Sequence, residues 1–293
     1  MNQDKLWEPS RRIELLYARA LRNLARTLIK ITKGKSPSEI IDTLEEYAKS
    51  RAFIGFAEKV AMKMVTGLFR DVGHSWRRAA YKNGKGRELY EALMKELQGK
   101  RGAHLDWLIR DNTYRIVTLP ENIGKDVATY IERESLKGRR ASDIEREIAK
   151  MFPQHTRARA ELIARTQVSY TQTNLIRVRA ESMGLQWYVW RAVGGGRGDG
   201  RTRSSHRDMS GVLVNWNDPP APEDLFPRYT QTGRPYRNTL GHYHAGQAPN
   251  CRCYPETIVD LEEIDSFPAR VYMNGRIVTM NRRQIEQLIG GQL

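Results

Sequence analysis

A chain of 293 residues, 40% hydrophobic and 28% charged, can bury a sizeable core as one or two domains. No stretch approaches the run of about eighteen apolar residues that a membrane-spanning helix needs, and the opening "MNQDKLWEPSRRIELL" has no apolar signal-peptide core. The two cysteines make no disulfide framework, which points to a reducing cytoplasm.

Forty-nine Lys and Arg against 34 Asp and Glu leave a net charge of +15. That balance favours a polyanionic partner, nucleic acid above all, through neutralisation of phosphates; a basic coat that merely keeps the chain soluble is the plainer alternative. Residues 1–150 carry 31 Lys and Arg against 21 acids, and residues 151–293 carry 18 basic residues, all arginine, against 13. Arginine makes planar, bidentate bonds and tolerates partial burial, so some of the later arginines are expected to be ion-pair partners within the fold. The shift in composition predicts a boundary near residue 150.

The first half reads as helices. In "RRIELLYARALRNLARTLIKI", Ile13, Leu16, Tyr17, Ala20, Leu21, Leu24, Leu28 and Ile31 recur at helical spacing, with Arg12, Arg19, Arg22, Arg26 and Lys30 mostly on the other side. Ser36, Pro37 and Glu39 form a capping box that opens a second helix. A third runs through "FAEKVAMKMVTGLFRDVGHSWRRAAY", with Met62, Met64, Leu68 and Trp76 as core filling. "KNGKGR" at 82–87 reads as a turn, followed by helices at about 87–99, 103–115 and 121–137 and a short one capped by Ser142 and Glu145. A long helix from about Thr156 ends at Gly184, a fitting residue just past a helix C-terminus.

The second half changes character. "LQWYVWRAV" is aromatic and β-branched, hence a strand; "GGGRGDG" is a loop, "GVLVNW" a short strand and "NDPPAPEDLFP" an extended loop. In "ARVYMNGRIVTM", Asn274–Gly275 between two β-branched runs predicts a hairpin with a type I′ turn, and "NRRQIEQLI" a last amphipathic helix.

Both cysteines lie in "APNCRCY". A disulfide between residues two apart would be strained, and a nucleophilic thiol would need a base, which His242 or His244 could supply. A tetrahedral zinc site could draw on His206, His244, Cys251 and Cys253, although the spacing is not that of a standard zinc finger. A packed turn in which both cysteines act as small apolar residues needs no metal. "DGRTRSSHRDMSG" gathers Asp199, Arg201, Arg203, His206 and Asp208, the acid, base and phosphate clamps of a nuclease or, equally, a loop tied down by its arginines. No acidic cluster for two metal ions accompanies it. Arg197–Gly198–Asp199 spells a cell-adhesion tripeptide, which in a basic cytoplasmic protein is coincidence.

Taken in order, "IARTQVSYTQTNLIRVRAE", "LQWYVWRAV", "DGRTRSSHRDMSG", a proline-rich loop and "PNCRCY" resemble the C-terminal domain of Mu F-like phage minor head proteins, the head-morphogenesis family of tailed bacteriophages. The matching pieces run from about Ala164 to Val259. Arg165, Thr166, Trp190, Asp199, Arg201, Arg203, His206, Gly211, Cys251, Arg252 and Cys253 carry the pattern. Gln167 stands where an acid is usual, and a glycine-rich segment lengthens the approach to Asp199.

The elements together make an α+β fold, with a helical region over 1–150, a domain over 151–260, and a hairpin and short helix over 261–293; the resemblance makes 151–260 a head-morphogenesis domain and leaves the helical region for contact with portal, scaffold or major capsid protein. It implies a virion component inside the capsid near the portal, made in the host cytoplasm, without catalytic activity. Such a protein would assist head assembly, associate with packaged double-stranded DNA without sequence preference and influence DNA ejection. On that reading Cys251 and Cys253 turn the chain so that the loop from Arg201 to Gly211 is held against it. A metal-dependent nuclease or toxin-like enzyme using His206, Cys251 and Cys253 is the alternative.

Overall fold

The computed structural model describes residues 6–82, 100–194, 200–229 and 240–289. The expected helix at 87–99, nearly all of the turn at 82–87, and Asp199 with the Arg-Gly-Asp tripeptide lie outside these residues. The chain is α+β, with long helices in its first part and a five-stranded mixed sheet in its last. It divides into two compact units: Arg11–Gly67 with Ala103–Gln167, and Met1–Ser10 with Leu68–Gly102 and Val168–Leu293.

The first unit is helical. Its elements are α1 (Arg11–Ile31), α2 (Pro37–Lys49), the first half of α3 (Arg51–Lys82), most of α4 (Lys100–Leu136) and the first part of α5 (Ala141–Ser182). The α1 periodicity holds at Ile13, Tyr17, Leu21, Leu24 and Leu28, all buried, but Leu16 is exposed alongside Leu15. At α2 the backbone N–H of Ser36 donates to Glu39 Oε2 at 2.8 Å, the return bond of the predicted capping box. Met64, Leu68 and Trp76 of α3 are buried as expected, whereas Met62 faces solvent.

Two breaks expected on sequence do not occur. The helices predicted at 103–115 and 121–137 are one, α4, with Pro120 inside it. A mid-helix proline removes one backbone hydrogen bond and costs about 3 kcal/mol. Leu108, Ile116, Leu119, Ile123 and Val127 continue the buried stripe through that point, so the packing of one continuous face outweighs the break. In the same way the short helix at Ser142 and the helix from Thr156 are joined as α5, which contains Pro153, and residue 150 falls within it. Gly184, at φ 75°, follows its end as predicted.

In the second unit Trp7 meets Trp76 edge-on, ring centroids 5.0 Å apart. The sheet comprises β1 (Trp187–Arg191), β2 (Val212–Asn215), β3 (Tyr254–Thr257), β4 (Ala269–Met273) and β5 (Arg276–Met280), in the order β3-β1-β2-β4-β5. Every pairing is antiparallel except that of β2 with β4. Trp187, Val189, Leu213 and Val271 pack from the sheet against Ile285 and Ile289 of the last helix, α8 (Arg282–Ile289). Between β1 and β3 lie two short helices where the sequence reads as loop, α6 (Ser204–Asp208) and α7 (Pro222–Leu225).

The β4–β5 hairpin turns at Asn274 and Gly275, with φ of 50° and 76°, as the Asn-Gly pair demands. Gly275→Val should therefore destabilise the protein by about 1–2 kcal/mol, because a β-branched residue is strained in the left-handed region. Urea unfolding checks it, and Gly275→Asn, which tolerates that region, should recover most of the loss.

Several late arginines are internal fasteners, as their composition suggested. Arg191 bridges Glu256 of β3 and Asp265. Arg270 of β4 donates to the Asp208 carbonyl at 2.8 Å, and Arg159 grips Asp126 with Nε and Nη2 at 2.9 and 2.8 Å.

Candidate functional site

The chemistry-bearing residues meet beside β1. Their positions follow from three local features: α6 is a single turn that aims His206 inward, β1 presents Trp190 beneath it, and the chain from Gly246 to Tyr254 returns the two cysteines to the same place. The turn closed by the Cys251 N–H on the Ala248 carbonyl at 3.0 Å precedes the cysteine segment, and both cysteine sulfurs come to His206 Nδ1. Asn250, at φ 57°, bends the backbone into that segment.

His206 Nδ1 lies 3.4 Å from Cys251 Sγ and 3.5 Å from Cys253 Sγ. Its Nε2 is 2.8 Å from the Tyr243 hydroxyl, which stands 2.8 and 2.7 Å from the two carboxylate oxygens of Glu223 on α7. The edge of Trp190 packs against the imidazole, centroids 5.6 Å apart. The backbone N–H of Cys253 donates to Cys251 Sγ at 3.3 Å. Burial is nearly complete: His206, Cys251 and Cys253 are 1%, 3% and 2% exposed.

The charges follow from these contacts. Burial pushes the Cys251 thiol up, but its bonds with Cys253 and His206 outweigh this and hold it well below its ordinary value. Cys253, hydrogen-bonded to Cys251 and buried, goes the other way. Burial would lower His206, yet the bond with Cys251 and the nearness of Glu223 raise it. Burial would raise Glu223; His206 and Tyr243 bring it below the usual carboxylate range. In this enclosed space the contacts of Cys251, His206 and Glu223 with one another and with their neighbours each favour the charged form.

Of the other residues expected to carry the pattern, Arg203 donates to the Pro249 carbonyl at 2.9 Å, tying the start of α6 to the cysteine segment. The Gly211 N–H donates to the Trp190 carbonyl at 2.8 Å. Arg252 is half-buried between the cysteines, and Arg201 is exposed. Arg165 is exposed on α5 with Glu161 at 3.3 Å, and Thr166 is half-buried beside it.

His244, counted among the zinc ligands on sequence, is not brought to the sulfurs. Among the described residues the donors that converge are His206, Cys251 and Cys253 alone. His244 turns instead to Tyr188, whose hydroxyl is 3.1 Å from Nδ1, and packs against Trp216. Burial drops its pKa to about 3, aided by the nearby positive charge of Arg177. His242 lies exposed with Nδ1 2.7 Å from the Pro219 carbonyl, so neither histidine serves either thiol as a base.

Sequence reasoning missed Glu223 and Tyr243. Tyr243 stands in plain view between two histidines, and Glu223 follows a proline that opens a helical turn; neither position signals a partner across the fold.

A helix-plus-sheet domain closed by a buried His–Cys–Cys cluster is the class that these features define. Residues 125–255 match the family described as Phage Mu protein F like protein, which shows independently the likeness drawn from the ordered motifs and points to phage head morphogenesis. A relative from Haemophilus influenzae, described as an uncharacterized protein, is 29% identical over 129 residues. The alignment spans 44% of this chain but 22% of that relative. No solved structure matches.

Proposed function

We propose that this chain is a minor head protein of a tailed bacteriophage, acting without catalysis in head assembly at the portal and associating with packaged DNA through its charge. The family match over residues 125–255 carries the reading. The near-complete burial of the His–Cys–Cys cluster supports a structural role for it, since a nucleophile or hydrolytic centre needs a path to substrate.

The surface of α1 supports the DNA component. Arg12, Arg19, Arg26 and Lys30 are exposed, and the sole acid of that helix, Glu14, is buried and paired with Arg11. Seven-residue spacing keeps the three arginines on nearly one side of a helix and about 10 Å apart, a stripe suited to a line of phosphates. Contacts with phosphate alone read no sequence.

The assembly role is tested by detecting the protein in procapsids and in mature virions; absence from both overturns it. For the DNA component, binding to random-sequence duplex should weaken steeply with salt. The triple variant Arg19→Glu, Arg26→Glu, Lys30→Glu should flatten the slope of log affinity against log salt, by roughly one unit for each phosphate that is no longer neutralised. Affinity unchanged between low and about half-molar salt would discard the phosphate mechanism. Cleavage of DNA by the wild-type chain with divalent ions, abolished in His206→Ala, would instead establish the enzyme reading.

A further inference from the structure

We propose that His206, Cys251 and Cys253 bind a zinc ion, His206 through Nδ1 and the cysteines as thiolates, and that the ion staples α6 to the segment leading into β3.

The donor atoms lie within 4.8 Å of one another, and the two N–S separations are 3.4 and 3.5 Å. A tetrahedral zinc, with Zn–S about 2.3 Å and Zn–N about 2.0–2.1 Å, sets neighbouring nitrogen and sulfur donors about 3.6 Å apart. Both nitrogen–sulfur separations are thus already close to those of such a polyhedron. A hydrogen bond explains this less well. Nδ1 has one lone pair or one proton, enough to join one sulfur, yet the two sulfurs flank it almost equally.

The far side of the ring fixes which nitrogen is offered. The Glu223 carboxylate can only accept, so the single proton of the Tyr243 hydroxyl goes to it. The Tyr243 oxygen must then accept from His206, which places a proton on Nε2. Nδ1 is left facing the sulfurs, the place where either a shared proton or a metal sits. Metal-bound histidines are held in this manner, with the second nitrogen donating to a group anchored by a carboxylate. The N–H of Cys253 directed at Cys251 Sγ further supports negative charge on that sulfur.

The donor set selects the ion. Two thiolates and an imidazole suit zinc and disfavour magnesium, calcium and manganese, which take oxygen ligands. Three protein donors leave one corner of the tetrahedron for a further ligand. Because its ligands come from segments 45 residues apart in sequence, the ion cross-links the domain, and binding it contributes directly to folding.

Full-length protein purified without chelators should contain one zinc per chain by elemental analysis. After zinc removal, cobalt(II) should produce thiolate-to-metal charge-transfer absorption that saturates at one equivalent. Both thiols should resist a thiol reagent in the holoprotein and react once a chelator has acted. Cys251→Ser with Cys253→Ser should abolish metal binding, whereas His206→Cys should retain one ion. Wild-type protein that holds no zinc and gives no charge-transfer band with cobalt overturns the site, as does a full equivalent of zinc in the double serine variant. The cobalt and thiol readings are made on wild-type chain, so they decide the matter even if the serine variants fail to fold. Neither depends on the protein's place in a virion.

Discussion

Gly246→Ala is expected to cost the sheet-bearing unit about 2–5 kcal/mol, a large share of the roughly 5–15 kcal/mol that ordinarily holds a domain folded. Gly246 sits at φ 87°, and a Cβ there would come 2.5 Å from Thr173 Oγ1, 2.8 Å from the Cys253 carbonyl oxygen and 3.3 Å from that of Ser169. Neither backbone oxygen can retreat without shifting α5 or the cysteine segment. The Thr173 hydroxyl is no freer: it donates to the Ala245 carbonyl at 2.7 Å in a buried bond. The left-handed backbone alone penalises alanine by about 1–2 kcal/mol, and the overlap adds about 1–3 more. Gly241→Ala supplies the control, because Gly241 has a similar φ of 74° and nothing within 4 Å of its Cβ position. Urea unfolding should show the control within about 2 kcal/mol of wild type and Gly246→Ala far below it. Equal losses in both would mean that the backbone conformation, not the close approach, sets the cost.

Acidification is expected to weaken the same unit through His244. Buried beside Tyr188 and Trp216, this imidazole has a pKa of about 3 against 6.5 in its ordinary state. The unfolded chain takes up a proton as the pH falls through 6.5, and the folded chain does not until about 3. Stability from this group is therefore complete above pH 6.5 and is lost as the pH falls toward 3, at about 1.4 kcal/mol for each unit within that window. By about pH 4.5 the loss reaches about 3 kcal/mol. His244→Gln cannot titrate, so the difference between wild type and variant, followed by urea midpoints from about pH 7.5 to about 4.5, isolates this residue from other titrating groups. A difference that does not change with pH would remove His244 as the cause.

Much of the architecture was legible because the signals are local. The capping box at Ser36, the C-terminal glycine at 184, the aromatic strand around Trp190 and the Asn274–Gly275 turn each depend on a few consecutive residues, and each is where the sequence puts it. Pro120 and Pro153 misled for a physical reason: proline's cost is local, whereas the apolar stripe it interrupts is stabilised by neighbours that the sequence does not reveal. Met62 and Leu16 failed likewise, since a helical stripe does not state how wide a face the neighbouring helices cover.

The candidate site was half legible. The donor types of His206, Cys251 and Cys253 stood out, but a sequence cannot say that His244 turns to Tyr188, nor that Glu223 reaches His206 by way of Tyr243. Those choices are made by the sheet and the two short helices, not by spacing along the chain.

The wiring of the sheet has a kinetic consequence. β1 pairs with β3 across sequence separations of 63 to 69 residues, and β2 with β4 across 58. Loops of that size close slowly compared with a helical turn, and a protein of high contact order spends longer with strand edges uncovered. Wherever β1 and β2 pair before β3 and β4 add, that pair, with Trp187, Tyr188 and Trp190 on one strand, would be open on both sides to a neighbouring copy. Yield from refolding at high concentration is thus governed by a race between closure of the two long loops and intermolecular strand addition.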